Sequence, residues 1–351
     1  MGAIARARAP LRVSFGGGGT DVPPYCWEEG GAVVNATIDR YARASAELGG
    51  GSVVLEAGDL GAREEHPIGR LPYGGGLDLL RAAVNAVGVG SGLRLSTQGG
   101  APIGSGLGGS SSLAVAAIGA MLRALRPGAE TDRMEVAMLA YRAEREELGQ
   151  RGGYQDQLAA AHGGFNLMEF LPGGGIRVTP LRLDPEVVLE LDAMSLLFYT
   201  GRSRISSRIH EDVDRRSRED PGAQRAARAE LRGVALGMRS ALERGDMGEF
   251  GELLREGWEA KRRMSSLISD GPLDLAYSRA MELGAMGGKV LGAGGGGHLF
   301  LLVDPARRGE IVKGMEDAGL IHVPFSFEVG AGEVGLRTWT WDRRGERGGR
   351  T

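Results

Sequence analysis

A chain of 351 residues, 42% of them hydrophobic, can bury a sizeable core and is long enough for two closely packed lobes. A formal charge of −3 provides no broad basic field, which argues against nucleic acid or an anionic membrane as the principal partner. The single cysteine, Cys26, rules out an internal disulfide, and neither a signal-peptide pattern nor an apolar run of membrane-spanning length is present, so a cytoplasmic location is expected.

In chain order, residues 8–15 alternate as a strand and residues 31–48 read as further extended chain rich in Val, Ala and Ile. Residues 77–87 have a helical pattern, 93–97 form a short strand, and 110–125 form an Ala-rich helix. A helix over 131–148 is expected to start at Thr131 as N-cap and to break at Gly149, with a new element near Tyr154. Strands at 165–170 and 196–199 lead into helices at 203–216, 221–242 and 247–264. Strands at 290–292 and 299–303, a helix at 305–318, and strands at 322–329 and 335–340 complete the chain. This order predicts a mixed α+β architecture, with one lobe over residues 1–184, a second over 185–342, and a disordered tail over 343–351.

The 61 glycines are the main compositional anomaly, and three runs stand out: residues 16–19, 99–109 and 292–297. The second includes PIGSGLGGSSS at 102–112, directly before a helix. Glycines there let the backbone approach phosphate oxygens, and the helix N-terminus adds unsatisfied N–H groups and a favourable dipole. Pro102, Gly104, Ser105, Gly106, Leu107, Gly108, Gly109, Ser110 and Ser111 are therefore the candidate nucleotide-phosphate residues, with Ser110 or Ser111 able to ligate magnesium. The loop lacks the Gly-Lys-Ser/Thr ending of a Walker A motif, and no Rossmann unit surrounds it.

Taken alone, several other residues admit two readings. Asp156, in GGYQDQ, suits a catalytic base or a carboxylate settled on a helix dipole. Glu144 suits a metal ligand or an exposed charged helix face, and Arg12 suits a phosphoryl-neutralising cation or a surface arginine. Asp21 can accept hydrogen bonds from sugar hydroxyls or close a turn before two prolines. Arg202, Arg204 and Arg208 offer a receptor for a substrate phosphate or a solvated helix start. Trp258, His162 and Cys26 are expected to be structural, and the role of Lys261 is left open.

APLRVSF at 9–15, the 102–112 string and KVLGAGGGG at 289–297 together resemble, in order, the three motifs of the GHMP kinases, the superfamily of galactokinase, homoserine kinase and mevalonate kinase. Gly109 departs from the motif's first serine, so Ser110 matches the second. RVSFGGGGTD, GGYQDQLAAAHGGFN and LGAGGGGHLF resemble the bacterial heptose 7-phosphate kinases and fucokinase-like sugar kinases within it. The resemblance implies a lobe like domain two of ribosomal protein S5, a ferredoxin-like lobe, and an active site between them. It implies ATP and Mg2+ as cofactors, Asp156 and Arg12 as catalytic residues, and Ser110 with Glu144 on the metal. Gly18, Gly19, Thr20, Asp21, Gln155, Arg204, Gly294 and Gly295 fall on the substrate side. The expected reaction is transfer of the γ-phosphoryl group of ATP to a hydroxyl, the anomeric one, of D-glycero-D-manno-heptose 7-phosphate or a closely related small-molecule sugar phosphate. Alternatives are a 1-kinase for a non-phosphorylated sugar and a catalytically silent nucleotide- or sugar-binding regulator. The oligomeric state, homodimer included, stays open.

Overall fold

The alternation of Ala and Arg in β1 (Ile4–Gly16) buries every second side chain as far as Ala9, after which both faces are covered. The structure, a computed structural model, describes residues 4–102, 104–202, 206–329 and 334–341. After β1 come the short helix α1 (Tyr25–Glu28), the 18-residue β2 (Gly31–Leu48), the hairpin of β3 (Ser52–Ala57) and β4 (Ala62–Pro67), helix α2 (Asp78–Val87) and β5 (Leu93–Gln98). Helices α3 (Gly109–Leu125) and α4 (Arg133–Tyr141) follow, then a π-helical turn (Arg142–Glu147), α5 (Gln155–His162), β6 (Phe165–Leu171) and β7 (Gly175–Pro180).

The second half comprises α6 (Pro185–Met194), β8 (Ser195–Tyr199), α7 (Ser206–Glu219), α8 (Pro221–Arg244), α9 (Met247–Met264) and α10 (Gly271–Glu282). It ends with β9 (Ala285–Val290), β10 (His298–Val303), α11 (Arg308–Asp317), β11 (Ile321–His322) and β12 (Arg337–Trp341). Among the described residues, eight strands form one sheet, ordered β12-β1-β2-β5-β3-β4 with β6 and β7 branching from β2. Four form another, ordered β11-β8-β10-β9.

Aspartate caps set the helix starts. The Asp132, Asp184, Asp220, Asp246 and Asp270 carboxylates each accept from backbone N–H groups in the first turn that follows, a contribution of about 1 kcal/mol per cap. Thr131, expected as the N-cap of α4, is displaced by Asp132; its hydroxyl instead lies 2.9 Å from that of Thr338. Asp132, one residue nearer the helix and with two acceptor oxygens, takes the free N–H groups of Met134 and Glu135 on Oδ1.

The two sheets share a core. Leu11, Val13 and Phe15 of β1 point into a cluster with Met238, Phe250 and Phe300, and Phe15 meets Phe250 and Phe300 edge-on at 5.3 and 5.6 Å. Burying a phenylalanine of this kind stabilises by roughly 1.5–3 kcal/mol, so the lobes are fixed by packing as well as by chain connectivity. The strand expected at 322–329 is only Ile321–His322 plus a single bridge between Phe327 and Ile38, because Pro324 cannot donate to a ladder. The end of the chain also crosses back: β12 pairs antiparallel with β1, so the sheet of the first lobe is completed by residues beyond the expected boundary at 184. The expected tail at 343–351 lies outside the described residues.

Candidate active site

With Leu11, Val13 and Phe15 in the shared core, the two-residue period of β1 turns Arg12 and Ser14 to the opposite face, onto a cavity of about 740 Å³. Arg12 is 3% exposed. It donates from Nε to Asp156 Oδ1 at 2.9 Å and from Nη1 to the Gly106 carbonyl at 2.5 Å, and its Nη2 stands 2.8 Å from the same Asp156 oxygen as an ion pair. Its backbone N–H donates to the Leu107 carbonyl at 3.0 Å, so main chain and side chain both tie β1 to the glycine loop. Burial works against ionisation of Asp156, but the Arg12 guanidinium and the Gln155 amide outweigh it and hold the carboxyl below its usual range. Asp156 is therefore a carboxylate at neutral pH, in the first turn of α5.

The glycine loop works as its composition demands. Gly104, Gly106 and Gly108 have φ of +73°, +81° and +72°, and Gly108 is the left-handed residue that launches α3. A Cβ on Gly106 would stand 2.6 Å from the Leu291 carbonyl, and one on Gly292 would stand 2.8 Å from the Gly106 Cα. The second and third glycine runs thus meet backbone to backbone. His298 Nδ1 lies 2.7 Å from the Ser105 carbonyl, and since a carbonyl only accepts, Nδ1 carries the proton.

At the start of α3, Ser110 and Ser111 donate to Glu144 Oε1 and Oε2 at 2.7 and 2.6 Å, and Gln157 Nε2 reaches Oε2 at 2.5 Å. Glu144 is 1% exposed despite its highly charged neighbours, because the π-helical turn that holds it turns this one carboxylate inward. No cluster of three His, Cys, Asp or Glu side chains able to hold a metal occurs among the described residues. Any cation here depends on Glu144, serine hydroxyls and oxygens brought by a ligand.

On the opposite wall, Gly18, Gly19, Asp21 and Gln155 line the cavity. Asp21 accepts from the backbone N–H groups of Gly19 and Gln155, each at 3.0 Å, and Gln155 Oε1 accepts from the Ser14 hydroxyl at 2.7 Å. Lys261 of α9 also lines it, 9% exposed, donating to the Gly292 carbonyl at 2.8 Å. Burial, partly offset by Asp21, brings its ammonium down to about 8.

Several expected residues lie elsewhere. Thr20 is fully buried, its hydroxyl engaged with the carbonyls of Gly17 and Ala32 and the Ala32 N–H, so it shapes the loop rather than facing a ligand. Gly294 and Gly295 pack against Ile268 behind the lining, where Gly295 N–H donates to the Ile268 carbonyl at 2.7 Å. Leu107 is a core residue whose carbonyl, not its side chain, serves the site. Pro102, Gly104, Ser105, Gly106, Gly108, Gly109, Ser110 and Ser111 do line the cavity. Arg204 lies outside the described residues, while Arg202 pairs with Asp270 at 3.2 Å and Arg208 is exposed. Trp258 is fully buried in the second-lobe core, His162 is pushed down to about 4 by burial, and Cys26 is pushed up to about 12 by burial. His210, Arg145 and Arg228 line the cavity without having been singled out, since arginines and histidines on polar helices carry no periodic signal of their orientation.

Two stretches of the chain match family models described as the GHMP kinases N terminal domain, over residues 73–164, and the GHMP kinases C terminal, over residues 238–319. Across 345 residues the sequence is 34% identical to a D-glycero-alpha-D-manno-heptose 7-phosphate kinase from Campylobacter jejuni, covering 95% of this chain and 98% of that one. The protein belongs to the GHMP kinase family. A crystal structure described as a D-glycero-D-manno-heptose 1-phosphate kinase from Bacteroides thetaiotaomicron superposes on this GHMP kinase with a TM-score of 0.78 at 32% identity, covering 95% of this chain and 98% of that chain. A bifunctional fucokinase/GDP-fucose pyrophosphorylase from Arabidopsis thaliana is 26% identical over 92% of this chain, which spans only 32% of that relative. This GHMP kinase is an ATP-dependent sugar kinase. Its N-terminal match contains the glycine loop, Glu144 and Asp156, and its C-terminal match contains Lys261 and the third glycine run.

Proposed function

We propose that the protein transfers the γ-phosphoryl group of ATP to the anomeric hydroxyl of D-glycero-D-manno-heptose 7-phosphate or a closely related sugar phosphate. The observation that carries this reading is the Asp156 carboxylate, gripped on Oδ1 by Arg12 and opening on the cavity beside the N-terminus of α3. The triphosphate lies along residues 104–111, where backbone N–H groups and the helix dipole favour anionic oxygens. The sugar oxygen bonds to the γ-phosphorus, the bond to the β-phosphate bridging oxygen breaks, and ADP leaves with that electron pair. The hydroxyl proton passes to Asp156. A carboxylate held below its usual range is a weak base, which suits a loose transition state in which the proton leaves late. Arg12 keeps Asp156 ionised and balances charge on the moving phosphoryl group.

Glu144 and Ser110 form a hard-oxygen pair 2.7 Å apart beside the phosphate loop, a donor set that fits Mg2+ accompanying nucleotide phosphates. When bound, the ion would supply charge neutralisation on those phosphates. Because ATP and sugar phosphates are intracellular pools, the cytoplasm is the proposed location.

The fucokinase relatives support a second reading, a 1-kinase for a non-phosphorylated sugar. Incubation of the purified protein with ATP, Mg2+ and a panel of heptose 7-phosphate, heptose and fucose separates the two. Turnover of the sugar phosphate is expected; turnover of fucose alone rejects the heptose phosphate assignment.

A further inference from the structure

The arginines expected to receive a substrate phosphate at the start of α7 leave that task unfilled among the described residues, since Arg202 is paired with Asp270 and neither it nor Arg208 lines the cavity. Arg228 of α8 does line it, and is only 7% exposed. Its Nη2 donates to Ser217 Oγ at 3.2 Å, its Cζ sits 5.2 Å from the Tyr25 ring centroid, and its Nε is buried without an acceptor. Among the described residues it makes no ion pair. The acidic side chain that acts on it, Asp214, is already bound to Arg151. A guanidinium this deeply buried without a counter-ion is costly, and that cost is relieved when an anion enters.

One face of α7 sets the scale of the cavity. His210 has Lys261, Arg145, Asp21 and, one turn along α7, Asp214 as charged neighbours, and Lys261 in turn neighbours Asp21, Arg12 and Asp156, so His210 lies on the side of the reacting groups. Ser217, which holds Arg228, lies seven residues further along the same helix, about 10 Å at 1.5 Å per residue. We propose that Arg228 is the receptor for the acceptor's own phosphate. The sugar phosphate would lie along α7, with its accepting hydroxyl at Asp156 and its phosphate ester on Arg228. A pyranose with a two-carbon arm ending in a phosphate ester has about this span. A sugar with its phosphate next to the accepting hydroxyl is too short to reach both ends. The cavity therefore selects an aldose phosphorylated on its terminal primary carbon.

This subsite rests on the sugar phosphate reading of the function, and one set of measurements separates the two. Wild type, Arg228→Met, Arg228→Gln and Arg204→Met are assayed with heptose 7-phosphate and with unphosphorylated heptose at saturating ATP, and their melting temperatures are compared. Loss of a charge-assisted contact to a buried phosphate should raise KM for the phosphorylated sugar on the order of 30-fold in both Arg228 variants. Their kcat should stay within about threefold of wild type and their kcat/KM for unphosphorylated heptose should not change, a split that a merely structural role for Arg228 would not produce. If Arg228→Met does not fold, the neutral but polar Arg228→Gln decides. Retention of the phosphate preference in folded Arg228 variants, or its loss in Arg204→Met instead, overturns the subsite while leaving the kinase assignment intact. A wild-type enzyme with no preference for the phosphorylated sugar overturns the substrate reading and the subsite together.

Discussion

Arg12 and Asp156, 144 residues apart in sequence, meet in a one-sided pair: Nε of the arginine donates to Oδ1, Nη2 stands within 2.8 Å of it, and Gln155 Nε2 reaches the same oxygen at 3.1 Å. With these donors gathered on Oδ1, and the side chain 26% exposed, Oδ2 is the oxygen that the proposed base would offer to an incoming hydroxyl. Asp156→Asn should lower kcat by about 10²–10⁴-fold while leaving the ATP dissociation constant within a few-fold, measured by steady-state kinetics and calorimetry. Near-normal turnover would rule out the carboxylate as base.

The proposed magnesium pair of Glu144 and Ser110 gives a second test. Glu144→Gln keeps hydrogen-bonding capacity towards Ser110, Ser111 and Gln157 but removes the charge. The Mg2+ concentration for half-maximal rate should rise about tenfold or more, with KM for the sugar nearly constant. An unchanged Mg2+ titration would remove Glu144 from the metal site.

The third prediction concerns Lys261, whose ammonium is brought from an ordinary 10.5 to about 8 by burial. Below pH 8 both folded and unfolded chains carry the proton, and the folded state bears the full cost of a buried charge. Between about 8 and 10.5 only the unfolded chain retains it, so this group's contribution to stability improves as pH rises through that window. Denaturant midpoints of wild type and Lys261→Met, compared at pH 7, 8.5 and 10, should therefore diverge in favour of wild type towards alkaline pH. A constant difference would mean that Lys261 is not titrating in that range.

The contact between the two glycine runs gives a fourth test. At Gly106, φ is +81° and a Cβ would collide with the Leu291 carbonyl at 2.6 Å, whereas a Cβ on Gly90 meets nothing within 4 Å. Gly106→Ala should lower the melting temperature and weaken ATP binding at least tenfold, with Gly90→Ala close to wild type. Equal behaviour of the two variants would show that the loop tolerates separation from Leu291.

How far the sequence could be read followed the strength of local signals. The glycine runs and the Ala-rich α3 were legible because phosphate loops and helix starts depend on nearby residues. The same holds for β2 and α9, whose expected bounds coincide with those observed. The β3–β4 hairpin passed unread because β4, AREEHP, is polar and only half-covered, and so has no apolar alternation to detect. The inward turn of Glu144 depends on a π-helical turn with no sequence signature, so the residue type was recognisable but its burial was not. Thr20 and Gly294 sit in motifs whose main chain approaches the site while their own side-chain positions face inward, a distinction that only tertiary packing makes. Arg228 was one arginine among many on a polar helix. Its burial arises from Tyr25 and Ser217, residues distant in sequence or on another helix.

The pairing of β12 with β1 has a consequence for biogenesis. One hydrogen-bonding edge of β1 is covered by residues 337–341, which come far later in the sequence. Until β12 docks, β1 presents an open edge able to recruit strands from neighbouring polypeptides. Cleavage before Arg337 would leave every catalytic candidate named above in the chain and uncover that edge, so β12 guards this enzyme against self-association.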